Sequence, residues 1–222
     1  MSTALYDPLK TQSKITDSVI VAFSGGKESV VVLDLCFRYF KKVKPFFMYI
    51  CPGLSFEEKT LAWYEKRYQT EIMRLPHNEA SVWLHYGYFT AIDLEFPMVS
   101  SNDIYNYVRQ ETGIEWIAGG ERIADSMWRK AFMKKSSSID MIRRRIFPVI
   151  EWRKQDIMNY IKYHHLYLGD DSKVLGFSFR SLQGNELVQI KKHFPDDYEK
   201  ILRLYPLAGA SVLREEMKNG KE

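Results

Sequence analysis

Short apolar runs alternate with longer amphipathic stretches over the first 168 residues, and this alternation is the main structural signal in the chain. Ser18-Val-Ile-Val-Ala-Phe23 is a β-branched run that halts at Ser-Gly-Gly. That is the pattern of a buried strand entering a tight loop. From Lys27 to about Lys42 the chain reads as a helix that is apolar on most sides (Val30, Val31, Val32, Leu33, Leu35, Phe37). Burial has to offset the modest helix propensity of its β-branched residues.

The unit then repeats. Lys44-Pro-Phe-Phe-Met-Tyr-Ile50 is a second apolar run, punctuated by Cys51-Pro52-Gly53 before a helical pattern in which Ser55 and Glu58 have capping-box spacing. Glu71-Ile-Met-Arg-Leu75 is the third strand candidate, and residues 76–97 are aromatic-rich without a clear period, as a lid or insertion would be. Asn102 to Glu111 has helical spacing and stops at Gly113. Ile114-Glu-Trp-Ile-Ala118 then runs into Gly119-Gly120, the same strand-then-glycine pattern as the first unit. Ile146-Phe-Pro-Val-Ile150 is a fifth short strand candidate, ahead of a helix from about Arg153 to His164.

Strands and helices in this order predict an α/β fold: a three-layer, parallel sheet of about five strands with helices on both faces. Ligands then belong at the carboxyl ends of the strands, where the glycines stand. From Gly169 the punctuation changes to Gly and Ser followed by helical stretches at 187–193 and 196–203. The expected division is therefore a nucleotide-binding α/β domain over residues 1–168 and a helical extension over 169–222.

Composition narrows the chemistry. Over 222 residues the formal charge is only +4, with basic residues spread along the chain, so the balance suits an anionic small molecule as well as it suits nucleic acid. Cys36 and Cys51 are the only cysteines and form no CxxC pair. This excludes a zinc ribbon, a disulfide framework and an iron–sulfur cluster ligated by this chain alone. No stretch approaches the roughly 20 apolar residues that span a bilayer, and the first 14 residues carry no apolar leader core. A soluble, unprocessed protein of the reducing cytoplasm is expected, with no membrane partner.

The chemistry concentrates in Ser24-Gly25-Gly26-Lys27-Glu28-Ser29. Two glycines after a buried strand, flanking hydroxyls and a lysine at the mouth of a helix offer unhindered N–H groups and a positive helix end to phosphate oxygens. It is not a Walker P-loop, since Glu28 follows Gly26-Lys27 where Ser or Thr is required and Val21 holds the place of the leading glycine. Nor is it the dinucleotide G-x-G-x-x-G.

The hexad resembles the Ser-Gly-Gly-x-Asp-Ser loop of the ATP pyrophosphatases and PAPS reductase-like proteins, the adenine nucleotide α-hydrolase-like superfamily, with Glu28 in place of Asp. Trp116-Ile-Ala-Gly-Gly-Glu-Arg-Ile-Ala-Asp-Ser-Met-Trp-Arg129 is similar to the family's glycine, arginine and serine segment. Phe147-Pro-Val-Ile-Glu-Trp-Arg-Lys-Gln-Asp-Ile157 resembles its Pro-Ile-x-x-Trp-x-x-x-Asp-Ile segment, with Arg153 where Ser or Thr commonly stands. The likeness covers about residues 15–168.

This resemblance implies an adenine nucleotide (ATP, or PAPS) bound by Ala22, Phe23, Ser24, Gly25, Gly26, Lys27, Ser29, Ile50 and Gly119. It implies phosphates held by Lys27, Arg122 and Arg129, and magnesium at Glu28. The thioredoxin-dependent reductases of the family use a cysteine in a Glu-Cys-Gly-Leu-His motif, and nothing after Cys51 is a cysteine. The activity implied is instead cleavage of the α–β phosphate bond of ATP, adenylylating an unidentified acceptor and releasing pyrophosphate. The alternatives are a catalytically altered nucleotide-binding module, or a subunit of a sulfur or nucleic-acid modification system with a protein partner. A homo-oligomer is compatible with either. The Arg143-Arg144-Arg145 run fits an anionic acceptor or nucleic acid, or equally a solvated basic turn. Cys51 reads as a small buried residue or a persulfide carrier, and His164-His165 as helix-terminal charges.

Overall fold

The computed structural model describes residues 7–122 and 138–219. In chain order the elements are α1 (Asp7–Gln12), β1 (Ser18–Ala22), α2 (Lys27–Tyr39), β2 (Lys42–Tyr49), α3 (Ser55–Tyr68), β3 (Met73–Pro76), α4 (Asn78–Tyr86) and α5 (Ser101–Thr112). They continue with β4 (Ile117–Ala118), β5 (Ile139–Asp140), β6 (Arg145–Ile146), α6 (Lys154–Tyr163), α7 (Asp170–Leu175), α8 (Gly184–His193), α9 (Pro195–Leu204) and α10 (Gly209–Asn219). The six strands form one sheet in the order β3-β2-β1-β4-β6-β5. β1 is parallel to β2 and β4, β4 is parallel to β6, and β5 runs antiparallel to β6. The α/β expectation therefore holds: a mostly parallel sheet flanked by helices, followed by a helical C-terminal part.

The additional strand is β5, which the hydrophobic pattern did not show. It is a two-residue edge strand, Ile139 opposite Ile146 and Asp140 opposite Arg145. A pair this short has no periodicity of its own and exists only through its partner.

Two compact units divide the chain. The first holds the described residues up to Phe47, with Trp63–Met73 and Tyr107–Leu168. Val19, Ile20 and Val21 of β1 are fully buried, as is α2 from Val30 to Leu33. Within α2, Asp34 is only 2% exposed and accepts hydrogen bonds from Arg38 (2.6 Å), Tyr160 (2.6 Å) and Tyr68 (2.5 Å). Burial alone would raise its pKa. The bonds from Arg38, Tyr160 and Tyr68 outweigh that and hold the carboxyl below its ordinary range. One carboxylate thus ties α2 to the end of α3 and to α6. The entry to α6 is fixed by Trp152, which is 2% exposed against Tyr160, and by the Asp156 carboxylate accepting the Arg153 N–H at 2.9 Å. His164 ends that helix and meets the Arg38 guanidinium through Nδ1 at 3.0 Å.

The second unit gathers Met48–Ala62, Arg74–Asn106 and Gly169 onward. Its core is an apolar cluster of Ile50, Cys51, Leu54, Phe56, Phe179, Leu187, Ile190, Tyr198, Ile201 and Tyr205. The expected capping box at Ser55 and Glu58 does not form. The Asp197 carboxylate accepts the Ser55 N–H (2.9 Å) and hydroxyl (2.5 Å), while Glu58 pairs with Arg74 at 2.9 Å. A carboxylate from α9 supplies the cap that the sequence assigned locally. The aromatic stretch begins as α4, which ends at Gly87 in the left-handed region (φ 73°).

Candidate functional site

β1 and β4 lie side by side and parallel, with Val21 opposite Ala118, so the chain leaves both strands at the same edge of the sheet. Two glycine turns emerge there. After β1, Phe23 remains a core residue: its N–H binds the Phe46 carbonyl at 2.9 Å and its ring meets the Tyr64 ring edge-on. Gly25 then takes φ 70°, a conformation that L side chains rarely adopt, and Gly26 returns to extended geometry as the cap of α2. The reversal turns the chain directly into the first turn of α2, whose N–H groups have no intrahelical acceptors. These groups and the helix dipole present positive charge where an anion would sit.

Ser29 gives this loop its shape. Its hydroxyl donates to the Gly26 carbonyl at 2.9 Å and accepts the Ser24 N–H and the Ser24 hydroxyl, each at 3.2 Å. It is therefore engaged within the loop, whereas the sequence pattern marked it as a phosphate donor. Ser24 is exposed, and Lys27 and Glu28 are half-buried at the start of α2.

The second turn is held differently. Neither Gly119 nor Gly120 has a positive φ. The Gly119 N–H binds the Ile146 carbonyl at 3.0 Å, and its missing Cβ leaves space taken by the Glu121 carboxylate and the Arg145 guanidinium. A Cβ on Gly120 would stand 3.1 Å from the Ser29 nitrogen and 3.2 Å from the Glu28 Cβ. Glycine lets this turn lie closely on the start of α2, where a Cβ would force its neighbours to give by a few tenths of an ångström. The approach delivers Arg122, whose side chain is 9% exposed, to Glu28: Nη2 to Oε1 is 3.1 Å, and Nη1 points to the Trp152 carbonyl at 3.5 Å. Beside it Arg145 pairs with Glu121 at 2.6 Å.

Of the residues marked in the sequence, Ala22, Phe23, Ser24, Gly25, Gly26, Lys27, Glu28, Ser29, Gly119 and Arg122 are thus brought to one edge of the first unit's sheet. Arg129 lies outside the described residues. Ile50 belongs to the second unit, where it is 5% exposed and its carbonyl accepts the Tyr205 hydroxyl at 3.0 Å. Gly120 and Glu121 were not marked, and Arg145 was marked only as part of the basic run. The doubled glycine was the available signal for the first, whereas the others are revealed only by β4–β6 pairing.

The basic run is internally compensated. Arg143 faces Asp140 at 3.8 Å, Arg144 pairs with Glu115 at 2.7 Å, and Arg145 is bound as above. Each guanidinium has an acidic neighbour, which weakens the reading of this run as a surface for nucleic acid. Both cysteines are buried. Burial, with Glu57 nearby, pushes the Cys51 thiol up to about 11, and burial raises Cys36 further. Neither thiol is poised as a thiolate.

The described residues hold no helix long and apolar enough to cross a membrane. A glycine turn that leads into a helix N-terminus at the carboxyl edge of a mostly parallel sheet stands where ligands of α/β proteins bind. The chain belongs to the phosphoadenosine phosphosulfate reductase domain family, whose pattern matches residues 18–169. Within the adenine nucleotide α-hydrolase-like superfamily, its fold is similar to the phosphoadenylyl-sulfate reductase of Candida auris. That similarity has a TM-score of 0.53 and 15% identity, over 80% of this chain and 87% of that one. The NH3-dependent NAD synthetase of Campylobacter jejuni is a more distant likeness, with a TM-score of 0.48 and 14% identity over 97% and 93% of the two chains. In sequence the chain is 26% identical over 213 residues to an uncharacterized protein of Methanocaldococcus jannaschii, covering 88% of this chain. It spans 43% of that relative's length. Family membership supports binding of an adenine nucleotide.

Proposed function

We propose that this protein binds ATP with its phosphates on residues 24–29 and cleaves the α–β bond, transferring the adenylyl group to an acceptor. The observation that carries the proposal is the backbone reversal at Gly25, which aims the first turn of α2 outward beside the Arg122 guanidinium. An acceptor oxygen attacks the α-phosphorus, the bond to the bridging oxygen breaks, and pyrophosphate leaves toward the loop. The N–H groups of the loop and Lys27 stabilise the charge that develops on the leaving group, and Arg122 holds the polyphosphate in line. No protein nucleophile takes part. At Gly119 the space beside β4 is filled by the Glu121 carboxylate and the Arg145 guanidinium, so on this reading the nucleotide meets the turn after β1 first. No role is built on Arg129.

A magnesium ion at this site would depend on the nucleotide's own phosphates for most of its ligands, with at most one or two carboxylates from the described residues. Among them no three His, Cys, Asp or Glu side chains stand together as a ligand set. Glu28 and Glu121 are each paired with arginine. That pairing favours the second reading, a nucleotide-binding module with altered catalysis serving a protein partner. The buried, protonated cysteines argue against thiol-based sulfate reduction by this chain.

ATP labelled at the α and γ positions separates the readings. Label appearing as AMP or an adenylylated product with pyrophosphate is expected. ADP and phosphate alone would reject α–β cleavage, and tight binding without turnover would leave the module. Lys27→Ala should weaken ATP binding by about 1–3 kcal/mol, the range of a charge-assisted bond. Unchanged affinity in the folded variant would remove Lys27 from the site.

A further inference from the structure

We propose that the second unit carries a self-complementary surface through which two copies of this chain pair about a two-fold axis, the acidic end on one copy meeting the basic end on the other. Among the described residues, eight of the thirteen large apolar side chains exposed to solvent fall within 86–98 and 207–217. Such residues scattered singly are ordinary, whereas a concentration of them marks an interaction surface. The basic end is α10. Its Ser211 carbonyl and Glu215 Cβ lie against Gly184 of α8, and Val212 is buried, so these positions form its inner side. Ala210, Leu213, Arg214, Met217 and Lys218 recur at helical spacing on the other side and line an open groove. Leu213 is 62% and Met217 70% exposed. Glu215 pairs with Lys218 at 3.3 Å and Glu216 with Lys191 at 2.9 Å, while Arg214 has no ion-pair partner among the described residues.

The acidic end follows α4. Residues 86–98 contain Asp93 and Glu95 and no lysine or arginine. Ile92 and Leu94, each 64% exposed, alternate with them. Neither acid has an ion-pair partner among the described residues. The stretch is held in place, because the Trp83 carbonyl accepts the Tyr88 N–H at 2.8 Å and His85 Nδ1 donates to the Phe96 carbonyl at 2.8 Å. Its ordering is therefore complete before a partner arrives. The two ends meet at Leu207, which is 58% exposed and donates its N–H to the Phe89 carbonyl at 2.8 Å, two residues ahead of α10. A two-fold contact is reciprocal. A surface that is acidic at one end, apolar between and basic at the other then sets each charge against its opposite on the copy. A partner of a single sign would leave one end facing like charge. Both signs, each without an internal partner at Glu95 and Arg214, thus favour a second copy as the occupant. The apolar side chains supply most of the affinity and the charges fix the register. This pairing does not depend on the nucleotide reading of the loop.

Sedimentation equilibrium of the whole chain over a concentration series tests this. The variants are Asp93→Lys/Glu95→Lys, which reverses the acidic end, and Arg214→Glu/Lys218→Glu, which reverses the basic end, each with its melting temperature. The wild type should reach the mass of two chains and go no further. Each reversal alone should weaken pairing about tenfold or more, because like charges then face one another twice in every dimer. An equimolar mixture of the two should restore the two-chain mass, since every reversed end meets an opposite charge on the other variant. Glu95→Gln and Arg214→Gln only remove a charge. Each should weaken pairing about threefold, and they carry the test if a reversal does not fold. A wild type that stays monomeric, a mass that grows past two chains, or a mixture of folded reversals that stays monomeric overturns the proposal. So does a dimer indifferent to these substitutions, which would use another face.

Discussion

The two glycine turns at the edge of the first unit's sheet look alike in sequence and answer to different physics. In the turn after β1, Gly25 is needed for its backbone, since φ 70° is open to glycine and strained for other residues. In the turn after β4, Gly120 has no such φ and is needed for clearance, because the Ser29 nitrogen and Glu28 Cβ crowd the place of its Cβ. The first turn is stitched by its own serine, and the second is held by ion pairs to distant elements. A strand-then-glycine signal therefore shows where a turn lies without showing what the glycine does.

Paired substitutions break this comparison most directly. At Gly25, asparagine should be tolerated better than alanine, because Asn enters the left-handed region more readily; alanine costs about 1–2 kcal/mol. At Gly120 the order should reverse, since only size matters there. Alanine forces a shift of a few tenths of an ångström, and asparagine should cost up to about 3 kcal/mol as overpacking. Denaturant midpoints of the four variants measure this. The same rank order at both positions would refute the distinction.

The first turn also depends on a helix anchored from beneath. Asp34→Asn should cost about 2–3 kcal/mol at neutral pH, the scale of hydrogen bonds to a charged group. The sign with pH follows from the direction of the shift. Asp34 titrates below its ordinary range when folded, so its contribution is complete above the unfolded pKa of about 4 and is lost as pH falls through the folded value. The gap between wild type and Asp34→Asn should narrow on acidification below about pH 4. A gap that stays constant to lower pH would mean that the amide loses packing or geometry, with no electrostatic share.

What was legible in the chain divides along the same line of local against distant. β1 and α2 were readable because an apolar run, two glycines and a helical period follow one another within a few turns. β4 was overextended in the reading: the run 114–118 is apolar apart from Glu115, but only Ile117 and Ala118 form the ladder. β5 left no trace, since it exists through Ile146 and Arg145. Ser55 and Glu58 had capping spacing, yet Asp197 and Arg74 claimed them. The resemblance of its hexad to an Asp-containing loop marked Glu28 as a cation ligand, and the structure sets it beside Arg122. Its pairing with Arg122 depends on the close approach at Gly120, which spacing along the chain cannot express.

The smallest effect probes the self-contained half of the comparison. Ser29 is buried, and its hydroxyl joins the Gly26 carbonyl to the Ser24 N–H, so Ser29→Ala leaves both backbone groups without that partner. Some of the loss is recovered because Ser24 is exposed and its N–H can turn to water. The net cost should be about 1 kcal/mol, a fall of roughly 2–4 °C in melting temperature for a chain of this size. Ser24→Ala removes a hydroxyl that only reaches Ser29 and should be nearly silent. If Ser24→Ala proves as costly as Ser29→Ala, the loop is not stitched from the helix side. The two turns would then share one mode of support, from contacts made elsewhere.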